Sequence, residues 1–194
     1  MQDQGRDDKG SAEDQEIIRS KYFSHKLYKH ARNLDIMIEN DKFSLFVKQF
    51  TQEPILNVRR VGRNYYLADD ALWAMKEKIN KDIYSIGVFL GEEKQHLIPS
   101  PALLDIIAQM PGSERKKVFV NKKAEWLFMC GRNVLSDSIV KMNVTEGVVL
   151  VQNEKDENLG YGLLKKEDQL IIKNLLDKGY YLRVDDKKGH RKKK

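Results

Sequence analysis

The sequence predicts an α+β chain, with an N-terminal α/β domain over residues 15–112 and a C-terminal pseudo-β-barrel over residues 113–186. Three observations carry this. Before Pro111-Gly112-Ser113, apolar residues at helical spacing alternate with short β-rich runs; after it, the elements shorten and become mostly extended. Residues 117–135, KVFVNKKAEWLFMCGRNVL, change from a period of two to one near 3.6 at Asn121 and stop at Gly131. Glycine takes the left-handed conformation without a Cβ penalty, so Gly131 ends the helix and presents Arg132 beside an exposed turn. Finally, five short runs of strand character with one helix near each end suit a small curved sheet closed on itself.

The elements follow in chain order. Residues 1–14 have little to bury, so disorder is expected. Over 12–40, Ile17, Ile18, Phe23, Leu27, Tyr28, Ala31 and Leu34 recur mostly at spacings of three to five, which argues for a helix. Lys21, Lys26, Lys29 and Arg32 share it with Tyr22 and Tyr28, either as an RNA-contacting face or as a solvated face over a core stripe. His25 and His30 lie five apart with no nearby cysteine, so no metal site is expected. Residues 41–50 form a second short helix, broken at Pro54. Residues 55–60 and 64–67 make a hairpin across Val61-Gly62-Arg63, with Arg59, Arg60 and Arg63 clustered there.

Asp69 or Asp70 caps a helix over 71–79, in which Leu72, Met75 and Ile79 form the buried stripe. Residues 83–91, IYSIGVFLG, read as a central strand buried on both faces, and 96–98 as another strand. Ser100 is an N-cap followed by Pro101 at the first helical position, with Leu103 to Ile107 as the buried face. Residues 117–121, 139–142, 148–153, 159–165 and 180–184 read as strands. Leu170, Ile171 and Leu175 have helical spacing, although Ile171-Ile172 also suits a strand. Gly160-Tyr161-Gly162 marks a strand that passes close to other backbone.

Length and composition bound the function. The chain has 194 residues and 41% hydrophobic content, enough for one good core or two small ones. It has no apolar run of about 18 residues and no hydrophobic leader, which favours an intracellular protein without a membrane partner. The lone cysteine, Cys130, sits in an apolar helix and reads as core. The formal charge of +6 is unevenly placed: residues 1–100 hold 16 Lys+Arg against 16 Asp+Glu, residues 101–186 hold 13 against 13, and the tail KKGHRKKK holds six cations and no acid. That tail, residues 187–194, reads as a flexible arm that contacts phosphates without reading sequence, or as an aid to solubility.

Val118-Phe119-Val120 leading into Ala124-Glu125, then Gly131-Arg132-Asn133-Val134-Leu135, the hairpin from Gly147-Val148-Val149 to Leu159-Gly160-Tyr161-Gly162, and Lys178-Gly179-Tyr180-Tyr181-Leu182-Arg183 together resemble a PUA domain, an RNA-binding module. With Asn64-Tyr65-Tyr66-Leu67, Ser85-Ile86-Gly87 and Gly91 before it, the chain is similar to the nuclear import protein seven family of ribosome-biogenesis factors, over roughly residues 43–183 and in an archaeal form. The resemblance implies an α/β pre-PUA domain followed by a PUA pseudo-β-barrel. It also implies a non-enzymatic role in large-subunit ribosome biogenesis and pre-rRNA processing, with single-stranded pre-rRNA bound by the PUA domain. Ribosome-assembly proteins, with the exosome a further partner, would be bound by the N-terminal domain. The location implied is cytoplasmic in the archaeal form and nuclear or nucleolar in a eukaryotic one.

The resemblance to PUA domains implies that RNA is gripped between the helix-exit turn and the last strand, which here points to Gly131, Arg132, Tyr180 and Arg183, with Lys165, Lys166, Lys173 and Lys178 on the expected basic surface. The chemistry suits this: arginine bonds phosphate or base edges bidentately, and an exposed tyrosine stacks on an unpaired base. Strand alternation lets only one of Tyr180 and Tyr181 face outward. Lys122 and Lys123 are either phosphate contacts or a solvated helix start.

Two other function classes stay open. A component of an RNA-modification enzyme system needs an acid–base or nucleophile constellation. The sequence offers four scattered His, one Cys, no phosphate loop and no dinucleotide glycine pattern, so no catalysis, cofactor or metal is expected. Asp69-Asp70 reads as a helix cap before it reads as a carboxylate pair. A protein-interaction adaptor, whose barrel no longer binds RNA, fits the charge balance of the folded part.

Overall fold

The computed structural model describes residues 41–79, 83, 85–166 and 169–183. The expected helix over 12–40, the 1–14 segment and the basic tail lie outside them. Among the described residues the elements run, in chain order, α1 (Lys42–Val47), β1 (Val58–Val61), β2 (Asn64–Leu67), α2 (Asp70–Lys78), β3 (Val88–Glu93), β4 (Leu97–Pro99), α3 (Pro101–Gln109), β5 (Lys117–Val120), α4 (Lys122–Met129), β6 (Val134–Leu135), β7 (Ile139–Met142), β8 (Gly147–Gln152), β9 (Asn158–Lys166) and β10 (Leu170–Asp177). They form a four-stranded sheet in the order β1-β2-β3-β4 and a six-stranded, barrel-like sheet in the order β6-β10-β9-β8-β5-β7.

Local chemistry explains the starts and turns. Gly62, at φ +60, allows the tight turn between β1 and β2. The Asp69 carboxylate accepts from the Leu72 amide at 2.7 Å and caps α2, while Asp70 pairs with Arg59. Ser100 Oγ accepts from the Leu103 amide at 3.1 Å, with Pro101 at the first turn of α3. Gly160 and Gly162 lie where β9 meets β10: a Cβ on Gly160 would stand 2.1 Å from the Leu176 carbonyl oxygen, and one on Gly162 2.5 Å from the Ile172 side chain.

Three expectations are corrected. The α2 stripe is not buried: Met75 and Ile79 are exposed, and only Leu72 and Trp73 pack, beside Tyr66, Ala68 and Ile86. The apolar run over 83–91 is not a strand buried on both faces. The strand starts at Val88, and Val88 and Phe89 are exposed while Leu90 is buried. Residues 170–177 are a strand, which leaves residues 180–183 as a helical turn.

β8 is buried on both faces. Val149 and Val151 face a core with Val118, Val120, Ala124, Phe128, Leu164 and Ile172, so α4 closes the inside of the six-stranded sheet. Leu150 faces the other way, with Leu176 and Tyr161, into a second cluster built from Phe43, Phe46 and Val47 of α1, Tyr65, Leu90 and Leu97, and Leu103, Leu104 and Ile107 of α3. Successive strand residues point to opposite faces, so one strand supplies both cores. Asn158 Nδ2 donates to Asp105 of α3 at 3.2 Å, and Gln152 Nε2 donates to Asn158 at 3.3 Å.

Two outcomes follow for stability. Leu103 is fully buried in the cluster that joins the two sheets, so Leu103→Ala lowers the unfolding free energy by about 2–5 kcal/mol in urea titration. At the rim of the first sheet the Tyr65 hydroxyl donates to the Glu93 carboxylate at 2.7 Å, and Arg60 and Lys42 lie 3.0 and 3.5 Å from it. The tyrosine hydrogen bond first, then the two cations, hold the Glu93 pKa below its ordinary 4.5. A carboxyl depressed in the folded state stabilises above its unfolded pKa, and that contribution disappears as pH falls through the folded value. Glu93→Gln therefore lowers the melting temperature at neutral pH, and the gap to the parent closes below pH 4.5.

Candidate nucleic-acid interface

Hydrogen bonds fix both ends of α4. Asn121 starts the helix, its Oδ1 accepting from the Ala124 amide at 2.9 Å. At the other end Gly131 has φ +82, and its amide donates to Phe128 O at 2.8 Å while the Arg132 amide donates to Leu127 O at 3.0 Å. These two bonds with a left-handed glycine make a Schellman motif. It satisfies helix-end carbonyls and turns Arg132 and Asn133 into solvent.

The end of β10 grips this exit from below. Asn174 Nδ2 donates to Phe128 O at 2.9 Å and to the Asp177 carboxylate at 3.1 Å, and the Asn174 amide donates to Asn133 Oδ1 at 3.0 Å. Arg183 forms a two-pronged pair with Asp177, Nη1 to Oδ1 at 2.8 Å and Nη2 to Oδ2 at 2.7 Å, and also donates to the Met129 carbonyl. Asp177 is only 2% exposed, so its charge needs this partner. The hydrogen bonds to Asp177 raise the Arg183 pKa above its ordinary value. Gly179 makes the approach possible, because a Cβ there would lie 2.1 Å from Met129 O and 2.8 Å from Arg183 Nη1.

The structure brings some of the expected RNA-binding residues together here and leaves others apart. Gly131 and Arg132 are exposed at the turn. The Arg183 guanidinium lies beneath it, 3.1 Å from where a Gly131 Cβ would sit. Tyr180 belongs to a helical turn, with the Arg183 amide donating to Gly179 O at 3.3 Å. A helical turn does not alternate faces, so Tyr180 and Tyr181 are both exposed, at 47% and 45%, with rings edge to face at 5.5 Å. Lys173 is exposed on β10, one residue before Asn174.

Lys165 pairs across from Ile171 and Lys173 from Leu163, so both lysines project from one face of the sheet. Lys166 is exposed at the end of β9. Lys178 is directed elsewhere, its Nζ 2.8 Å from the Asp105 carboxylate of α3. The sequence reading missed Asn174 and Asp177, whose only local signal is two polar side chains inside an otherwise apolar strand end. It also missed Trp126, which is 67% exposed on α4, and placed Cys130 in the core where the structure leaves it exposed.

This surface offers an exposed guanidinium on a rigid turn, two aromatic rings and lysines on neighbouring strands, groups that bind phosphate and stack on bases. Among the described residues no group of His, Cys, Asp and Glu could hold a metal ion, and no helix is long and apolar enough to cross a membrane.

Comparison with known proteins agrees with the sheet and its closing helix. Residues 116–186 match the family model described as the UPF0113 PUA domain. A UPF0113 protein of Aeropyrum pernix is 35% identical over 102 residues, covering 52% of this chain and 58% of that protein. A UPF0113 protein of Archaeoglobus fulgidus is 32% identical over 159 residues, covering 66% of this chain and 90% of that protein. The chain thus spans little more than half the length of the first relative and nine-tenths of the second. A solved structure described as a conserved PUA domain protein from Thermoplasma acidophilum overlaps 69% of this chain and 87% of its own, with a TM-score of 0.44 and 16% identity. On the match across nine-tenths of the Archaeoglobus protein and the PUA match over residues 116–186, the chain belongs to the UPF0113 family and carries a PUA domain.

Proposed function

We propose that this protein is a non-enzymatic RNA-binding factor that acts in large-subunit ribosome biogenesis, holding single-stranded pre-ribosomal RNA at the α4 exit of its PUA domain. The observation that carries the RNA reading is the juxtaposition at that exit: exposed Arg132 on a glycine turn bonded to β10 through Asn133 and Asn174, with Lys173 adjoining. A PUA domain favours RNA as the ligand of such a surface. Arg183 is assigned to holding the turn, and Lys178 to the Asp105 pair, so neither leads in binding phosphate.

The ribosome-assembly part extends the family resemblance of the sequence, and protein partners are assigned to the first sheet, where Val88, Phe89 and Ile98 are exposed. The absence of catalysis is likewise a proposal. It is supported by the occupation of Asp69 as a helix cap and of Asp70 in the Arg59 pair, which leaves those carboxylates in structural roles.

Binding of the full chain to single-stranded RNA is expected to weaken linearly in log affinity against log salt. Arg132→Ala lowers affinity about tenfold, the loss of one charge-assisted contact. Lys165→Ala with Lys173→Ala reduces the salt slope by roughly 1.4, at about 0.7 per phosphate contact on a single strand. Removal of residues 187–194 lowers both affinity and slope. Filter binding reads all three, and a full chain with no affinity at low salt leaves the adaptor reading in place. Crosslinking in cells tests the ribosomal part, which fails if the recovered RNA is not enriched in ribosomal precursors.

A further inference from the structure

The outer face of α4 carries a group that neither the fold nor the glycine turn uses. Ala124 and Phe128 point into the barrel core. At 3.6 residues per turn the opposite side presents Lys122, Trp126 and Lys123 in that order around the helix, with Cys130 one turn on and Arg132 just past the end. All five are exposed, and the indole of Trp126 is 67% accessible. The other tryptophan is employed differently: Trp73 is covered by Lys76 and Arg59, at 4.5 and 5.6 Å from its ring.

A single exposed apolar residue on a surface needs no explanation. The surroundings of Trp126 are what point to a ligand. Around the helix axis it falls between Lys122 and Lys123, both one turn before it, and Glu125, the acid on this helix, is turned aside and accepts from Asn153 Nδ2 at 3.2 Å, which also bonds Glu157 at 2.6 Å. The result is an exposed indole roughly 5 Å along the helix from the two lysines of its first turn, at 1.5 Å per residue, with Arg132 past the other end of the helix. Protein interfaces deplete lysine at their centres, whereas binding of single-stranded nucleic acid combines cations along the backbone with aromatic faces under the bases.

We propose that Trp126 stacks on an unpaired RNA base, with Lys122 and Lys123 on the flanking phosphates and the strand continuing along α4 to Arg132. This rests on the RNA reading given above and adds to it the path of the strand along α4 and a physical basis for its single-strandedness. A duplex keeps its bases stacked inside and offers no free face to an exposed indole, so the site selects single strands. Stacking tolerates any base, so the site sets strandedness and direction of approach and does not read sequence.

The chain has two tryptophans, so Trp73→Phe leaves Trp126 as the sole indole reporter. Titration of that variant with a short single-stranded oligoadenylate is expected to quench Trp126 emission in step with binding, while a duplex of equal length leaves it unchanged. In the parent chain Trp126→Ala lowers single-strand affinity about tenfold, the fold-change for one stacked base, and Trp126→Phe restores most of it. Lys122→Ala with Lys123→Ala lowers the salt slope by roughly 1.4 and keeps the quench. Full affinity in Trp126→Ala, or binding without quenching, overturns the stacking site while RNA binding stands. No binding of the single strand by the parent chain overturns both.

Discussion

The pair between Asp177 and Arg183 is the interaction on which the candidate interface depends. A carboxylate that is 2% exposed carries a desolvation penalty of several kcal/mol unless it is paired and hydrogen-bonded. Here it receives the guanidinium of Arg183 through two bonds and the amide of Asn174 through a third. The same two donors reach past it to Phe128 O and Met129 O, carbonyls of the last turn of α4. One buried charge thereby ties the end of β10, the helical turn after it and the exit of α4 into a single unit. Arg132 then stands on a turn whose backbone bonds are already made, so an incoming phosphate meets a group whose position is set beforehand.

A second constraint comes from the use of both faces of the six-stranded sheet. β8 and β9 give one face to α4 and the other to α3 and α1. A layer covered on both sides has little freedom to twist away from either neighbour. The glycines at 160 and 162 let β10 come close enough for this packing. The price of that arrangement falls on the first sheet, where α3 and α1 cover only part of the apolar surface and Val88, Phe89 and Ile98 stay exposed.

Features set by a single residue's own conformational preference were legible in the sequence. Gly131 ends α4 because few other residues adopt φ near +82 without strain, and Ser100-Pro101 opens α3 for equally local reasons. The α+β class and the barrel-like sheet were legible for the same reason: the change of period at Asn121 and the spaced turns are properties of short windows. Features set by a partner far along the chain were hidden. Residues 180–183 have the composition of a strand, but Gly179 against Met129 and Arg183 against Asp177 wind them into a helical turn. Leu72, Met75 and Ile79 have the period of a buried stripe, yet periodicity names a face and says nothing about whether a partner covers it. The roles of Asn174 and Arg183 depend on contacts 46 and 54 residues away, and no local pattern marks them.

On the proposed reading, RNA lies along one edge of the protein, formed by the outer face of α4, its glycine exit and the end of β10. Nonspecific attraction from the six cations of residues 187–194 would act on any surface near them, so affinity alone does not locate the site. Amide chemical-shift mapping of the full chain during titration with single-stranded RNA does. Shifts concentrated at residues 122–135 and 171–183, with β1 to β4 unmoved, are the expected result; shifts confined to the tail, or centred on the first sheet, would contradict RNA binding at this edge.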